Sequence, residues 1–341
     1  MKKRTTGVIC TLLSLALTGY LLADTFLLRS AYQTDAAADA GEAFTAAQSN
    51  LDSSGASDAS NAAEAAGGSG KKHLHAGKSR LSGKTETAAE TETATETASV
   101  SDAADYSSDG ISITLEEYTV ENTQVYVADV TLSSSASLKT AFAENTYGRN
   151  ITATTSEMAE ENGAILAING DYYGAQETGY VIRNGVVYRD TAKTATEICC
   201  IYADGTMQIK NTADVTAQQL VDEGVWQAFS FGPALIVDGE IAVTADEEVG
   251  KAMASNPRTA IGVMDENHYV FVVADGRTDE SEGLSLSELA AFLQSLGVQT
   301  AYNLDGGGSS TLWYQGSVIN NPTTSGTSIK ERSVSDIVYI G

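Results

Sequence analysis

A chain of 341 residues has room for one large domain or two small ones. Its formal net charge of -25 argues against sequence-general nucleic-acid binding, which needs a basic stripe, while a local arginine cluster still permits an anionic substrate. Three cysteines and three histidines supply neither a disulfide framework nor a spaced zinc motif, and they leave Ser-His-Asp and Cys-His chemistry almost without a candidate base. Cys10 lies in an apolar leader, Cys199 and Cys200 are adjacent, His73 and His75 fall in a polar tract, and His268 sits at an expected hairpin turn. Chemistry must therefore rest on carboxylates, arginines, hydroxyls, tyrosines and backbone.

Residues 1–29 open with Met1-Lys2-Lys3-Arg4. An apolar stretch from about Gly7 to Ala23 follows, then Asp24-Thr25, then Phe26-Leu27-Leu28. The pattern reads as a signal anchor or a signal peptide. No small-x-small site directly follows the apolar core, which favours an uncleaved anchor. The basic flank predicts a cytoplasmic N-terminus and an exported, membrane-tethered body. From 30 to 108 the composition collapses to Ala, Ser, Thr, Gly, Asp and Glu, interrupted by a small basic island from Lys71 to Lys84. Such a segment buries too little apolar area to offset its ordering entropy, so a disordered stalk is expected, its alanines supporting at most transient helix.

The body, 109–341, opens with period-two strands at Ile111–Leu115 and Gln124–Val130. Asn184-Gly185, Asp204-Gly205 and Asp238-Gly239 mark tight hairpin turns, and Asp265–His268 a longer one. Helices are fewer. The clearest begins with the box Ser285-x-x-Glu288 and ends at Gly297, with apolar residues at helical spacing. Shorter ones are expected at Ser156–Asn162 and near Ala217–Glu223. The predicted fold is α+β: one domain rich in mixed or antiparallel sheet, with a few covering helices.

Four segments join an apolar strand to a polar loop. They are Ala164–Ile168 with Asn169-Gly170-Asp171-Tyr172-Tyr173, Asn256-Pro257-Arg258-Thr259 with Ala260–Val263, Val270–Ala274 with Asp275-Gly276-Arg277, and Ala301–Leu304 with Asp305-Gly306-Gly307-Gly308-Ser309-Ser310. Binding loops gather where strand ends converge on one rim of a rigid scaffold. Three consecutive glycines belong where backbone bends sharply or approaches a neighbour closely, and successive free N–H groups can cradle an anion. Arginines are few in the body, so Arg258, Arg277 and Arg332 beside such loops suggest bidentate recognition of phosphate or carboxylate.

These motifs, with Phe231-Gly232-Pro233-Ala234-Leu235 and the closing Glu331-Arg332-Ser333-Val334, occur in an order that resembles phosphodiester glycosidase domains. The resemblance runs from about Ala164 to the end and more weakly from Gly110; the leader and stalk lie outside it. It implies an exported hydrolase that splits the glycosidic bond of sugar-1-phosphodiesters in cell-envelope or exopolysaccharide material. In that reading Asp305 is the first choice for the carboxylate at the anomeric carbon, with Asp275 and Asp171 as alternatives. Arg258 takes the phosphate, assisted by Arg277 or Arg332 and by the N–H groups of Gly307, Gly308, Ser309 and Ser310. Asn169, Tyr172 and Thr259 position sugar hydroxyls, and Gly170, Asn303 and Gly306 complete the expected substrate-binding set. Asp171, Asp275 and Asp305 also offer oxygen ligands for calcium or magnesium, although no loop of the known calcium spacing is present. Rival readings are a non-catalytic surface-polymer binding protein and a metal-dependent phosphodiesterase that cuts P–O.

Overall fold

The strand Thr123–Leu132 buries both faces: Val125 and Val127 point to one side, Tyr126, Ala128 and Val130 to the other. Apolar residues on both sides over Val125–Ala128 predict a strand covered from two sides there, and the tertiary structure supplies both covers, with Asp129 and Thr131 left at the open end. The computed structural model describes residues 30–31, 40–64, 105–192, 195–243 and 255–341.

An eight-stranded sheet runs in the order Glu240–Ile241, Ala234–Val237, Thr300–Asn303, Arg258–Asp265, His268–Ala274, Thr123–Leu132, Ile111–Val120 and Tyr106–Ser108. One face packs on the helix Leu286–Ser295 through Leu286, Leu289, Ala290 and Leu293. Its other face meets two five-stranded sheets across the main core, where Ile113, Ile261, Phe271 and Tyr302 touch Leu166, Ile168, Phe229 and Val338. The first of these, the site sheet, is ordered Ser317–Val318, Leu312–Tyr314, Leu166–Asn169, Asp336–Ile340, Leu138–Phe142. The second, the lateral sheet, is ordered Met207–Asn211, Glu197–Tyr202, Val225–Phe229, Val181–Arg183, Val186–Arg189. The helices Thr155–Glu161 and Ala217–Asp222 cover their outer faces. The ladders joining these strands are antiparallel. The domain is thus sheet-rich with few helices, as the turn and strand signals predict.

Capping boxes start the three α-helices described in the body, at Thr154/Glu157, Thr216/Gln219 and Ser285/Glu288; the last is the one the sequence signals. Asn184 and Gly185 take φ of 51° and 74°, the left-handed pair a two-residue hairpin requires.

The stalk expectation needs correction at 40–64, which is an α-helix docked on the body over its N-terminal half. Phe44, Ala47 and Leu51 recur at helical spacing: Phe44 meets Trp226 edge-on at 5.0 Å, Ala47 is buried, and Leu51 joins the cluster under the lateral sheet. Composition hid this, because three apolar contacts suffice when tertiary packing rather than propensity holds a helix. Ser30–Ala31 pair with Gly148–Arg149. The expected leader at 1–29 and the low-complexity run at 85–97 lie outside the described residues. No described helix is long and apolar enough to cross a membrane.

Candidate active site

Asn169 ends its strand fully buried, and its amide joins three of the four motif segments. Oδ1 accepts from Thr259 Oγ1 at 2.8 Å and from the Thr311 N–H at 3.3 Å. Nδ2 donates to the carbonyls of Asp305 at 2.6 Å and Gly170 at 3.2 Å. The Asp305 N–H returns a bond to the Gly170 carbonyl at 3.3 Å, so the glycine loop is tied to the site sheet through both backbone groups of Asp305.

Close neighbours explain the glycines. A Cβ on Gly306 would lie 3.0 Å from the Pro257 carbonyl oxygen, and one on Gly308 would meet Thr324 Oγ1 at 2.4 Å. At Gly307, φ is +62° and a Cβ would stand 2.8 Å from Arg277 Nη2. The loop makes a single 3₁₀ turn over Gly307–Ser309. The N–H of Gly307 goes to the Pro257 carbonyl, that of Ser309 to Gly306 and that of Ser310 to Gly307. Three of the four N–H groups expected to cradle an anion, those of Gly307, Ser309 and Ser310, are thus taken by backbone carbonyls. What the bend does is carry Asp305 and Ser309 to the wall of a cleft.

That cleft, about 200 Å³, is lined by Asp305, Ser309, Arg332, Asp171 and Tyr172, with Asn150, Thr152 and residues 333–335 along its edges. Ser309 Oγ donates to Asp305 Oδ2 at 2.6 Å. Arg332 Nη2 reaches the same oxygen at 3.1 Å, the Gly306 carbonyl at 3.2 Å and Ser309 Oγ at 2.5 Å, while its Nε holds Ser309 Oγ at 2.9 Å. Burial raises the Asp305 carboxyl above the ordinary aspartate value against the opposing pull of Ser309 and Arg332. Arg332 is held over the cleft from behind, since Glu331 accepts from both N–H and Oγ of Ser156, and Val334 bridges to Ala153. Across the glycine loop, Arg277 spans Asn256 Oδ1 and the Thr324 carbonyl. Burial, then the neighbouring charge of Arg332, lowers its pKa, so two guanidinium groups flank Gly306-Gly307.

Asp171 lines the same cleft. Its Oδ1 accepts from the Tyr173 N–H at 3.1 Å and pairs with Arg183 Nη2 at 2.9 Å, and its Oδ2 accepts from the Ser230 N–H at 3.0 Å. Arg183 is itself buried, donates to the Ala228 and Ile182 carbonyls, lies over the Phe229 ring at 4.5 Å, and grips Asp336.

The profile of the phosphodiester glycosidase family matches residues 162–341. The chain belongs to the phosphodiester glycosidase family. Among its relatives, the SPbeta prophage-derived uncharacterized protein YomE of Bacillus subtilis is 30% identical over 180 residues, 51% of this chain and 28% of that protein. The N-acetylglucosamine-1-phosphodiester alpha-N-acetylglucosaminidase of Mus musculus is 30% identical over 186 residues, 50% of this chain and 36% of that protein. The aligned part thus spans about a third of these relatives. The zebrafish N-acetylglucosamine-1-phosphodiester alpha-N-acetylglucosaminidase catalytic domain, auto-inhibited by its pro-peptide, superposes with a TM-score of 0.55 at 22% identity, covering 72% of this chain and 88% of that one, a likeness of fold.

Within this glycosidase body several expected site residues do other work. Arg258 does not line the cleft; its Nε donates to the Leu284 carbonyl at 2.8 Å. Strand alternation is the reason: Thr259 points inward to Asn169, so Arg258 points to the far face of the large sheet. Asp275 is also away from the cleft. Its carboxylate accepts from Asn320 Nδ2 and from the N–H and Nδ2 of Asn321, and it faces the Tyr126 hydroxyl at 3.4 Å. Asn320 in turn holds the Ser310 carbonyl and the Leu312 N–H, making Asp275 an anchor for the strand leaving the glycine loop. Asn303 donates to the Gly232 carbonyl inside the large sheet, and Ser310 is buried beneath the turn. Asp171, Asp275 and Asp305 do not converge as a calcium or magnesium site, because the first is matched to Arg183 and the second to amides; no cluster of three metal-binding side chains occurs among the described residues. Sequence reasoning missed Arg183, which precedes the Asn184-Gly185 turn, and Asp336. The one available signal was a lone carboxylate opening the otherwise apolar run Ile337–Ile340.

Proposed function

We propose that this chain hydrolyses the glycosidic C–O bond of a sugar-1-phosphodiester, with Asp305 facing the anomeric carbon and Arg332 receiving the phosphate. The observation that carries the reading is the Asp305–Ser309–Arg332 cluster in one cleft that Asp171 also lines. A carboxylate that stabilises a developing cation and a guanidinium that attracts a phosphodiester stand side by side, 3.1 Å apart, as a pair that substrate can separate. Arg277, beyond Gly307, offers a second positive charge to the same anion.

The chemistry asks little of a general acid. A phosphomonoester has a second pKa of about 6, so it departs without the full protonation an alkoxide needs. Water oxygen bonds to the anomeric carbon, the C–O bond breaks, its electron pair stays on the phosphate oxygen, and the water proton leaves through Asp305 or to solvent. Electrostatic stabilisation of the oxocarbenium-like centre is then the main contribution. Tyr172, 43% exposed at the cleft mouth, offers a ring to the sugar or aglycone. The basic, apolar leader supports an exported setting, which makes glycosyl-phosphate polymer of the cell envelope the substrate class of choice.

The test is hydrolysis of sugar-1-phosphodiesters in oxygen-18 water. Label in the sugar supports C–O cleavage; label in the phosphate overturns it. Asp305→Asn is expected to lose at least about a hundredfold in kcat. Tight binding of the phosphodiester without turnover in wild type would instead identify a polymer-binding protein. The anomer released first reports whether Asp305 acts as base, with inversion, or as nucleophile, with retention.

A further inference from the structure

Asp336 is completely buried at the start of Asp336–Ile340, and its two carboxyl oxygens live in different surroundings. Oδ2 accepts from Nε of Arg183 at 2.9 Å and forms an ion pair with its Nη2 at 2.8 Å. Oδ1 has no hydrogen-bond partner. It looks onto Gly170, where a Cβ would sit only 2.4 Å away, and the Gly170 N–H is taken by the main-chain carbonyl of Asp336. An ionised oxygen stripped of both water and donors is far costlier to bury than a carboxylic acid oxygen in the same place. The same guanidinium also serves Asp171, so one positive charge is shared between two carboxyls. Asp171 has the better claim to the negative charge, because its oxygens also take the N–H groups of Tyr173 and Ser230. The other ionisable groups facing Asp336 are Asp305, Asp171 and Tyr173, and none of them favours a second negative charge there.

We propose that Asp336 is a positioning residue that works as the neutral acid, its proton on Oδ1, leaving the charge of Arg183 to pair with Asp171 at the cleft wall. Asp336 thereby sets the charge count of the site: two carboxylates face substrate and a third is silenced behind them. It also seats Gly170, whose carbonyl accepts the Asp305 N–H, so both carboxylates lining the cleft rest on it. The role in turnover rests on the glycosidase reading above; the protonation of Asp336 does not.

Burial, against the pull of Arg183 and helped by the charges of Asp171 and Asp305, pushes Asp336 up to about 8. An unfolded aspartate loses its proton near pH 4. The native state therefore binds the extra proton between those values, and stability falls as pH rises across that window. Infrared difference spectra of wild type against Asp336→Asn test the proposal directly. A carboxylic-acid carbonyl band at pH 6 is expected in wild type, absent from Asp336→Asn, retained in Asp305→Asn, and lost on raising the pH through about 8. No such band at pH 6, or a band that disappears in Asp305→Asn instead, overturns the proposal. Should Asp336→Asn fail to fold, the Asp305→Asn variant labelled with carbon-13 aspartate and taken from pH 6 to 10 gives the same reading. For a folded Asp336→Asn, turnover at pH 6 within about threefold of wild type and a flattened alkaline limb are expected. A loss beyond about a hundredfold at unchanged melting temperature would mean that the charge of Asp336 is required. If no sugar-1-phosphodiester is turned over at all, the infrared result still stands on its own.

Discussion

Replacing Asn169 tests how the site is assembled. Its amide makes four hydrogen bonds at full burial, to Thr259 Oγ1, the Thr311 N–H and the carbonyls of Asp305 and Gly170. Asn169→Ala leaves these groups short of a partner in a place with little room for water. Each orphaned buried polar group costs about 1–3 kcal/mol, and overlapping relaxation brings the sum to about 3–5 kcal/mol. For a body of this size 1 kcal/mol moves Tm by about 2–4 °C, so a fall of about 6–20 °C is expected. Asn169→Asp separates the missing donor from the missing volume. It keeps an acceptor for Thr259 but sets an oxygen against the Asp305 carbonyl, where a donor now stands at 2.6 Å. It should be at least as harmful as the alanine. Because that carbonyl fixes the loop carrying Asp305, kcat should fall at least about tenfold in both variants. Thermal melts and turnover on one preparation read the two effects together. A Tm within about 2 °C of wild type with unchanged kcat, in either variant, would refute the claim that Asn169 assembles the site.

Arg332→Ala should raise KM for a phosphodiester at least about tenfold, whereas Arg258→Ala, which loses the bond to the Leu284 carbonyl, should lower Tm and leave KM alone; steady-state kinetics beside melts checks both. Ser309→Ala removes a donor that favours the ionised Asp305 carboxylate, so burial prevails further and the acid limb of kcat/KM moves to higher pH; an unmoved or lowered limb refutes the assignment. In Asp275→Asn an amide replaces oxygens that now accept from Asn320 and Asn321, and denaturant titration should show a loss of about 2–4 kcal/mol, with a smaller fall in kcat than Asp305→Asn gives. Phe44→Ala deletes the edge-on contact with Trp226 and should make residues 40–64 susceptible to limited proteolysis without changing turnover.

Much of the scaffold is legible one residue at a time. The capping box at Ser285, the left-handed Asn184-Gly185 pair and the alternation in Thr123–Leu132 are local signals, set by backbone sterics and side-chain period over a few positions. The glycine run with its leading Asp305 is legible too, because three side-chain-free residues together are hard to explain without close neighbours. The docked helix 40–64 is the opposite case: its composition suits disorder, and only Trp226, about 180 positions away, gives Phe44 something to bury against.

The chain by itself determined that chemistry would rest on carboxylates and arginines, that the fold would be sheet-rich, and that Asp305 would sit on a bare-backbone bend. Which charges face that bend was settled only by tertiary packing. Arg258 and Arg332 look equivalent in a string of letters, but strand alternation turns one to the far side of a sheet while the tether of Glu331 to Ser156 brings the other onto Asp305. Asp275, Asp171 and Asp336 are likewise three similar carboxyls until long-range pairing gives the first to amides, shares Arg183 between the other two, and leaves one oxygen of Asp336 with no partner. A side chain's charge is written in its type, but its partner, its access to water and therefore its chemistry depend on groups that lie far off along the chain and meet only in the folded core.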